Sequence, residues 1–538
     1  MAKQKNVLRD MTLQEKIGQL FMCGFEGYEP SESIRMLIRR YRIGGIIYFR
    51  RNVNHVRQVT ELSQRLQQIN DETGASLPLL ISIDQEGGMV ARIDGDDVAV
   101  MPGNMALGAT ANVEAAYETA YVSGRELYSM GINMNFAPCL DVNNNPLNPV
   151  IGVRSYGEDP RLAAGMGAAA IRGYADAGIA ATAKHFPGHG DTASDSHLDL
   201  PVIPHSMERL ERIELVPFRK AIEAGVDAIM TAHVVFPAMD DDDVPSTLSG
   251  RIIKGLLRTK LGYDGVVVTD CLEMNAISEG VGIAEGAVRA IGAGADLVLV
   301  SHRMDRQIEA IEAVIQAVKD GRISEEQIDM SVDRIIRLKQ RRLGNKPPIV
   351  SAADFLRIGS EEHRAVGRKW SEKSVTLVKQ GEELPLDMKE ATLVVWPEVR
   401  KGTEVDEVIP QQITLGAALS SYIADVEEVR IGIEPSPDEA VQVLHECRKR
   451  KQVVFATYNA SFSSGQVKLV RQLLQQTGVR LVVIALRNPF DITSFPEVPT
   501  YVACYENRPL MMESAAKVLV GLIPAVGKLP VTLQSRRS

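Results

Sequence analysis

The chain has 538 residues, 45% apolar and 24% charged, a balance that fits a water-soluble globular protein of two or three domains. Its net charge of −9 argues against sequence-independent nucleic-acid binding, and no cluster of Lys and Arg with interleaved aromatics reverses that locally. No apolar run reaches the length of a membrane span, and residues 1–10 lack the apolar core of a signal peptide, so a cytoplasmic protein is expected.

In chain order, the first legible element is a helix opening at Met11-Thr12-Leu13, with Thr12 as N-cap and Glu15 completing a capping box. Short β-rich runs then alternate with helical patterns. Strands are predicted at 19–23, 45–49, 79–84, 133–137, 181–184, 228–232, 265–269 and 296–300, with helices at 54–73, 113–129, 162–177 and 206–224 among those between them. Eight strand–helix units in about 300 residues match a TIM-type (β/α)8 barrel, although a doubly wound sheet gives the same local alternation. Helices at 306–319 and 324–342 complete a domain over residues 1–342. Gly344 and the pair Pro347-Pro348 mark a linker at 343–360. Strands at 375–379, 392–396, 453–457 and 481–486, separated by helices at 437–450 and 465–476, predict a second domain over 361–538. It is expected to be a three-layer α/β/α sandwich of mostly parallel strands.

Five scattered cysteines (Cys23, Cys139, Cys271, Cys447 and Cys504) lack CxxC spacing and read as free core thiols in a reducing compartment. Histidine is more informative. Three of the nine, His185, His189 and His197, fall within Lys184-His-Phe-Pro-Gly-His-Gly-Asp-Thr-Ala-Ser-Asp-Ser-His197, together with Asp191 and Asp195. Glycine and proline predict an irregular loop leaving a strand. Other predicted strands also end on reactive groups: the run Asp84-Gln-Glu-Gly-Gly88 followed by Arg92, Asp141 followed by Arg154, then His233 and Asp270. A barrel brings all such ends to one face.

Each group has a plainer reading. A strand-end Asp often caps the following helix, and lone histidines are more often structural. The run Asp240–Asp243 reads as a solvated loop, and His55, His205, His302, His363 and His445 are assigned no role. It is the number of polar strand ends that points to a site. The histidine loop has metal-ligand composition, but Pro187 and Gly188 exclude a helical HxxxH presentation and no HExxH accompanies it. No metal and no cofactor are expected. There is no P-loop, and Gly188-His-Gly-Asp-Thr-Ala193 opens no helix as a dinucleotide site must. Acid/base and carboxylate chemistry on a polyhydroxylated substrate remains, with Asp, Arg, Lys and His to bond its hydroxyls. The residues alone do not choose between Asp84 and Asp270 as nucleophile.

These motifs resemble family 3 glycoside hydrolases in their β-N-acetylglucosaminidase branch. The resemblance runs through the 184–197 loop, Asp84-Gln-Glu-Gly-Gly with Arg92, Gly131 to Asn143, Gly152 to Pro160 and Val268 to Met274. In the second domain it continues through Arg487 to Asp491 and Gly527 to Val531. It implies a retaining exo-β-N-acetylglucosaminidase acting on terminal β-linked N-acetylglucosamine, with peptidoglycan-derived muropeptides as expected substrates. It also implies roles: Asp270 as nucleophile, His197 as acid/base with Asp195 as its dyad partner, and Asp84, Arg92, Arg154, Lys184 and His185 as sugar-binding groups. Tyr156, Thr269 and Cys271 depart from common family residues without touching these groups. The alternatives are a phosphorylase, since a histidine acid/base tolerates an incoming phosphate, and a β-glucosidase or xylosidase. A non-catalytic sugar-binding protein is a further alternative.

Overall fold

The computed structural model describes residues 7–192, 200–344, 352–399 and 413–533. Eight strands form a closed parallel barrel: β1 Phe21–Cys23, β2 Gly45–Tyr48, β3 Leu80–Ile83, β4 Met134–Asn135, β5 Ala180–Phe186, β6 Ala228–Thr231, β7 Val266–Cys271 and β8 Leu297–Val300. They pair in sequence order, and β8 closes onto β1 through Phe21 opposite Val298. Runs such as Leu297-Val-Leu-Val300 are apolar throughout because the barrel interior buries one face and the helix ring the other. The ring helices bury one stripe each, as in Glu325–Leu343, where Ile328, Val332, Ile335 and Ile336 face inward. The first of them, Leu13–Gln19, carries the expected Thr12–Glu15 capping box.

Two expectations change. The helix expected over 206–224 divides into Met207–Arg212 and Leu215–Glu223. Pro217 causes this, because its ring opposes the carbonyl four residues back and it has no N–H to continue the ladder. The break turns Arg209 back onto the buried Glu214, which both Nη1–oxygen contacts reach at 2.7 Å. The stretch expected as linker contains a helix, Ala352–Arg357, and its residues 345–351 lie outside the described residues.

Beyond it stands a six-stranded sheet: β9 Thr376–Lys379, β10 Thr392–Glu398, β11 Val426–Gly432, β12 Gln452–Thr457, β13 Arg480–Ala485 and β14 Thr500–Ala503. The order is β9-β14-β13-β12-β10-β11, and only β9 runs antiparallel to its neighbour. Alternate residues serve two cores. Val394 and Trp396 pack toward helix Pro509–Leu519, and Leu393 and Val395 toward helices Pro437–Cys447 and Ser464–Leu474. This is the expected three-layer sandwich. No described helix is long and apolar enough to cross a membrane.

Candidate active site

A cavity of about 340 Å³ opens at the carboxyl ends of the barrel strands, within the size range of small-molecule sites. Asp84, Arg92, Arg154, Lys184, His185 and Asp270 all line it, so six of the eight predicted site residues meet in one place. The other two, Asp195 and His197, lie outside the described residues. Ile47, Phe136, Val150, Met230 and Leu299 supply apolar wall between the charges.

The charged side is organised by a residue that sequence reading quoted only within a motif. Glu86 follows β3, in the short hairpin Gln85–Gly87/Val90–Ala91. Its two oxygens accept Arg154 Nη2 at 2.7 Å and Nε at 3.1 Å, and Oε1 also meets Lys184 Nζ at 2.7 Å. Lys184 Nζ donates to Asp84 at 2.6 Å as well. Burial alone would raise the Glu86 carboxyl, but Arg154 and Lys184 override it and hold it well below the usual carboxylate range. Burial likewise works against the Lys184 charge, and Asp84 and Glu86 more than compensate. Arg154, Lys184, Asp84 and Glu86 are thus held against one another at the cavity wall.

Lys184 and His185 sit within β5, which runs on to Phe186, so the irregular segment begins later than expected. His185 Nδ1 and Asp141 Oδ2 are 2.6 Å apart, and the backbone N–H groups of His185 and His189 also point at Asp141, the latter at 2.7 Å. Burial opposes the Asp141 charge, yet His185 and His189 lower its carboxyl to about 2. Asp141 therefore fixes the ring of His185 and leaves Nε2 as the nitrogen not committed to it. Burial, with His185 beside it, lowers His189 to about 4, so that ring is neutral near pH 7. Cys139, Asp141 and His185 lie close enough to hold a metal ion. Burial, chiefly, pushes the Cys139 thiol well up, and the Asp141 oxygens already accept several N–H groups. The trio works as a hydrogen-bonded support.

Asp270 is the next-to-last residue of β7, where Cys271 N–H donates to its Oδ1 at 2.8 Å. Its neighbours are anchored from both sides. His233, beyond β6, donates from Nε2 to the Cys271 carbonyl at 3.0 Å, while Nδ1 faces Thr247 Oγ1 at 2.8 Å. Glu273 accepts the N–H groups of Ser301, His302 and Arg303 at 2.8, 2.6 and 3.1 Å, tying the β7 loop to the β8 loop. His302, assigned no role from sequence, borders the cavity with its ring 5.0 Å from that of Phe49. The histidine loop leaves the cavity wall at His189–Thr192. Asn148 Nδ2 holds the His189 and Gly190 carbonyls there at 2.9 and 3.0 Å. A β-carbon at Gly190 would lie 1.8 Å from the Val142 carbonyl oxygen, so only glycine fits. Asp240, expected in a solvated loop, is instead buried, accepts from Ser249 and faces Arg251 at the start of the helix Arg251–Lys260, 3.6 Å away.

Comparison with known proteins agrees with this fold. The chain is similar to a solved structure of a glycoside hydrolase family 3 β-N-acetylglucosaminidase from Paenibacillus sp. str. FPU-7. The two share 54% identity and a TM-score of 0.94, over 98% of this chain and 99% of that one. It is 32% identical to the β-hexosaminidase A of Pseudoalteromonas piscicida over 97% of each chain. It is also 28% identical to the β-N-acetylglucosaminidase/β-glucosidase of Cellulomonas fimi, over 98% of this chain and 95% of that one. Residues 12–338 match the family described as "Glycosyl hydrolase family 3 N terminal domain". The barrel is therefore that of a glycoside hydrolase, and the chain belongs to glycoside hydrolase family 3.

Proposed function

We propose that the protein is a retaining exo-β-N-acetylglucosaminidase that removes terminal β-linked N-acetylglucosamine, with peptidoglycan-derived muropeptides as its natural substrates. The observation that carries this reading is the cavity itself. Asp270 stands on one strand end, facing a space that Asp84, Arg92, Arg154, Lys184 and His185 line with fixed charges and donors. Such a fan suits the hydroxyls of one sugar ring, and the apolar wall suits its less polar face. The relatives named for β-N-acetylglucosaminidase or β-hexosaminidase activity support the choice of sugar.

In the proposed reaction an Asp270 oxygen attacks the anomeric carbon while the bond to the aglycone oxygen breaks. His197, with Asp195 as its dyad partner by family resemblance, gives its proton to that oxygen. Water then attacks the same carbon, His197 takes a proton from it, and the Asp270–sugar bond breaks, so configuration is retained. An imidazole suits both steps because its ordinary pKa lies near neutrality. The free thiols of all five cysteines support a reducing compartment, as a cytoplasmic enzyme has.

The test is a digest of defined muropeptides by the purified protein, with and without phosphate, analysed by mass. Free N-acetylglucosamine in both arms is the expected result. Appearance of its 1-phosphate sinks the hydrolase reading in favour of a phosphorylase. Faster cleavage of an aryl β-glucoside than of the matching aryl β-N-acetylglucosaminide sinks the choice of sugar.

A further inference from the structure

The cavity wall is not the barrel's work alone. The two loops that carry Glu86 and Arg154 both back onto the C-terminal domain. Behind the first lies the turn that follows β14. Arg508 Nε donates to the Gly88 carbonyl at 2.7 Å, and its Nη1 pairs with Asp94 Oδ2 at 2.7 Å. Glu506 Oε2 accepts the Gly103 N–H at 2.8 Å. The approach is close enough that a β-carbon at Gly88 would lie 2.5 Å from Glu506 Oε2 and 2.6 Å from Gly103 Cα. Behind the second loop, the Glu158 N–H donates to the Pro530 carbonyl at 3.0 Å, and a β-carbon at Gly157 would lie 2.5 Å from that same oxygen. A small void between the loops is lined by Glu86, Val153, Arg154, Tyr505 and Glu506.

Three features show that this contact is built for placement rather than for strength. Tyr505 holds φ at +66°, a conformation unfavourable for a bulky residue, and its hydroxyl is tied to Thr376 Oγ1 at 2.6 Å. Glu506 and Arg508 are 1% and 2% exposed, and burying ionisable groups carries a desolvation cost that pairing repays only where the geometry is excellent. Burial pushes the Glu506 carboxyl up to about 7, and its Oε1 has no hydrogen-bond partner among the described residues. A turn that destabilises itself locally in these ways fits a role in geometry. Gly88 is two residues from Glu86, the group on which Arg154 and Lys184 both close.

We propose that the Tyr505–Arg508 turn of the C-terminal domain is a positioning element of the sugar pocket. Arg508 and Glu506 act as positioning residues that set the Glu86 hairpin, and through it Arg154 and Lys184. This rests on the cavity being the terminal-sugar site. It gives the second domain a role in binding although none of its residues lines the cavity.

The experiment uses the full chain and compares wild type, Arg508→Met, Arg508→Lys and Glu118→Gln. Glu118 is the control: its carboxylate accepts from Lys369 Nζ and Trp370 Nε1, both at 2.7 Å, at an inter-helix contact away from the cavity. An aryl β-N-acetylglucosaminide gives kcat and KM, and free N-acetylglucosamine gives an inhibition constant, both well below each variant's Tm. Arg508→Met is expected to lose about 10- to 100-fold in kcat/KM, with inhibition weakened in parallel, and Arg508→Lys to recover part of it. Glu118→Gln is expected to stay within about twofold of wild type even where its Tm falls. If Arg508→Met does not fold, Glu506→Ala carries the test, with about a 10-fold loss expected. Wild-type kinetics in the variants that disturb the turn, or an equal loss in Glu118→Gln, overturns the proposal. A wild type that releases no aryl alcohol removes the sugar-site reading and this proposal with it.

Discussion

The two ends of the barrel use the same residue types to opposite effect. At the carboxyl end, Asp84, Glu86, Arg154 and Lys184 pair around a cavity. At the amino end, Asp227 and Asp296 directly precede β6 and β8. Asp227 takes Arg342 through Nη2 at 2.8 Å and Nε at 3.0 Å, with Arg341 at 3.4 Å. Asp296 holds Arg258 and, at 3.2 Å, Arg334, and accepts the Val267 N–H at 2.8 Å. Burial does not separate the two sets, since the Asp227, Asp296 and Glu86 side chains are all almost fully enclosed. What separates them is where the pairing leads. At the amino end each carboxylate closes on backbone or on arginines, including three from helix Glu325–Leu343, and so ties the last ring helix to the strands. At the carboxyl end the pairs leave a wall of fixed charge facing open space. Buried ion pairs are thus scaffold or site according to the end of the barrel they occupy.

The contrast breaks most visibly at Asp270. Asp270→Asn is expected to lower kcat by about 10⁴-fold or more with little change in Tm, read from initial rates on an aryl substrate and from a thermal melt. A rate within tenfold of wild type removes Asp270 as nucleophile. Next comes Glu86→Gln, which leaves Arg154 and Lys184 without their shared carboxylate. A loss of about 100-fold in kcat/KM is expected, in protein still folded at the assay temperature. Asp227→Ala should give the reverse pattern. Breaking that buried cluster is expected to cost about 3–5 kcal/mol in denaturant unfolding, while kcat per folded molecule stays within about twofold. If Asp227→Ala damages catalysis as Glu86→Gln does, the division between the two ends fails.

The same division explains what could be read from the sequence. All eight barrel strands were legible as short β-rich runs alternating with helical patterns, because a parallel strand buried on both faces needs no alternation. Helix Val113–Ser129 was legible to the residue, and in the structure the Asn112 side chain caps its start. β11 was not, since Val426-Glu-Glu-Val-Arg-Ile-Gly432 is an edge strand with one face charged and partly exposed. β14, four residues long, carried too little pattern. In the site, the strand-end position of Asp84, Lys184 and Asp270 was visible, but the partners that fix them were not. Glu86 beside two glycines looks like any polar turn residue, and Asp141 like any helix cap. Their roles arise only when barrel closure brings Arg154 and His185 to them across 68 and 44 residues of sequence. Asp195 and His197 owe their assignment to family resemblance.

The smallest expected effect tests the scaffold end by removing a charge that has no carboxylate partner among the described residues. Lys339, on the same helix as Arg341 and Arg342, is 1% exposed, and its Nζ donates to Gln19 Oε1 at 2.7 Å instead of to a carboxylate. Burial lowers its pKa to about 7, against 10.5 in water. Between those values the unfolded chain binds a proton that the folded chain does not, so stability rises with pH from about 7 to about 10.5. Below about 7 the folded protein carries the buried ammonium and bears the full penalty. Lys339→Met keeps the length of the side chain and removes that penalty, at the cost of leaving Gln19 Oε1 without its donor, about 1 kcal/mol. The expected outcome is a Tm a few degrees above wild type at pH 7, a gain that shrinks toward pH 10, and unchanged kcat. A Tm below wild type at pH 7, with the same pH dependence, means that the ammonium is stabilised where it lies and that the amino end of the barrel tolerates an unpaired charge.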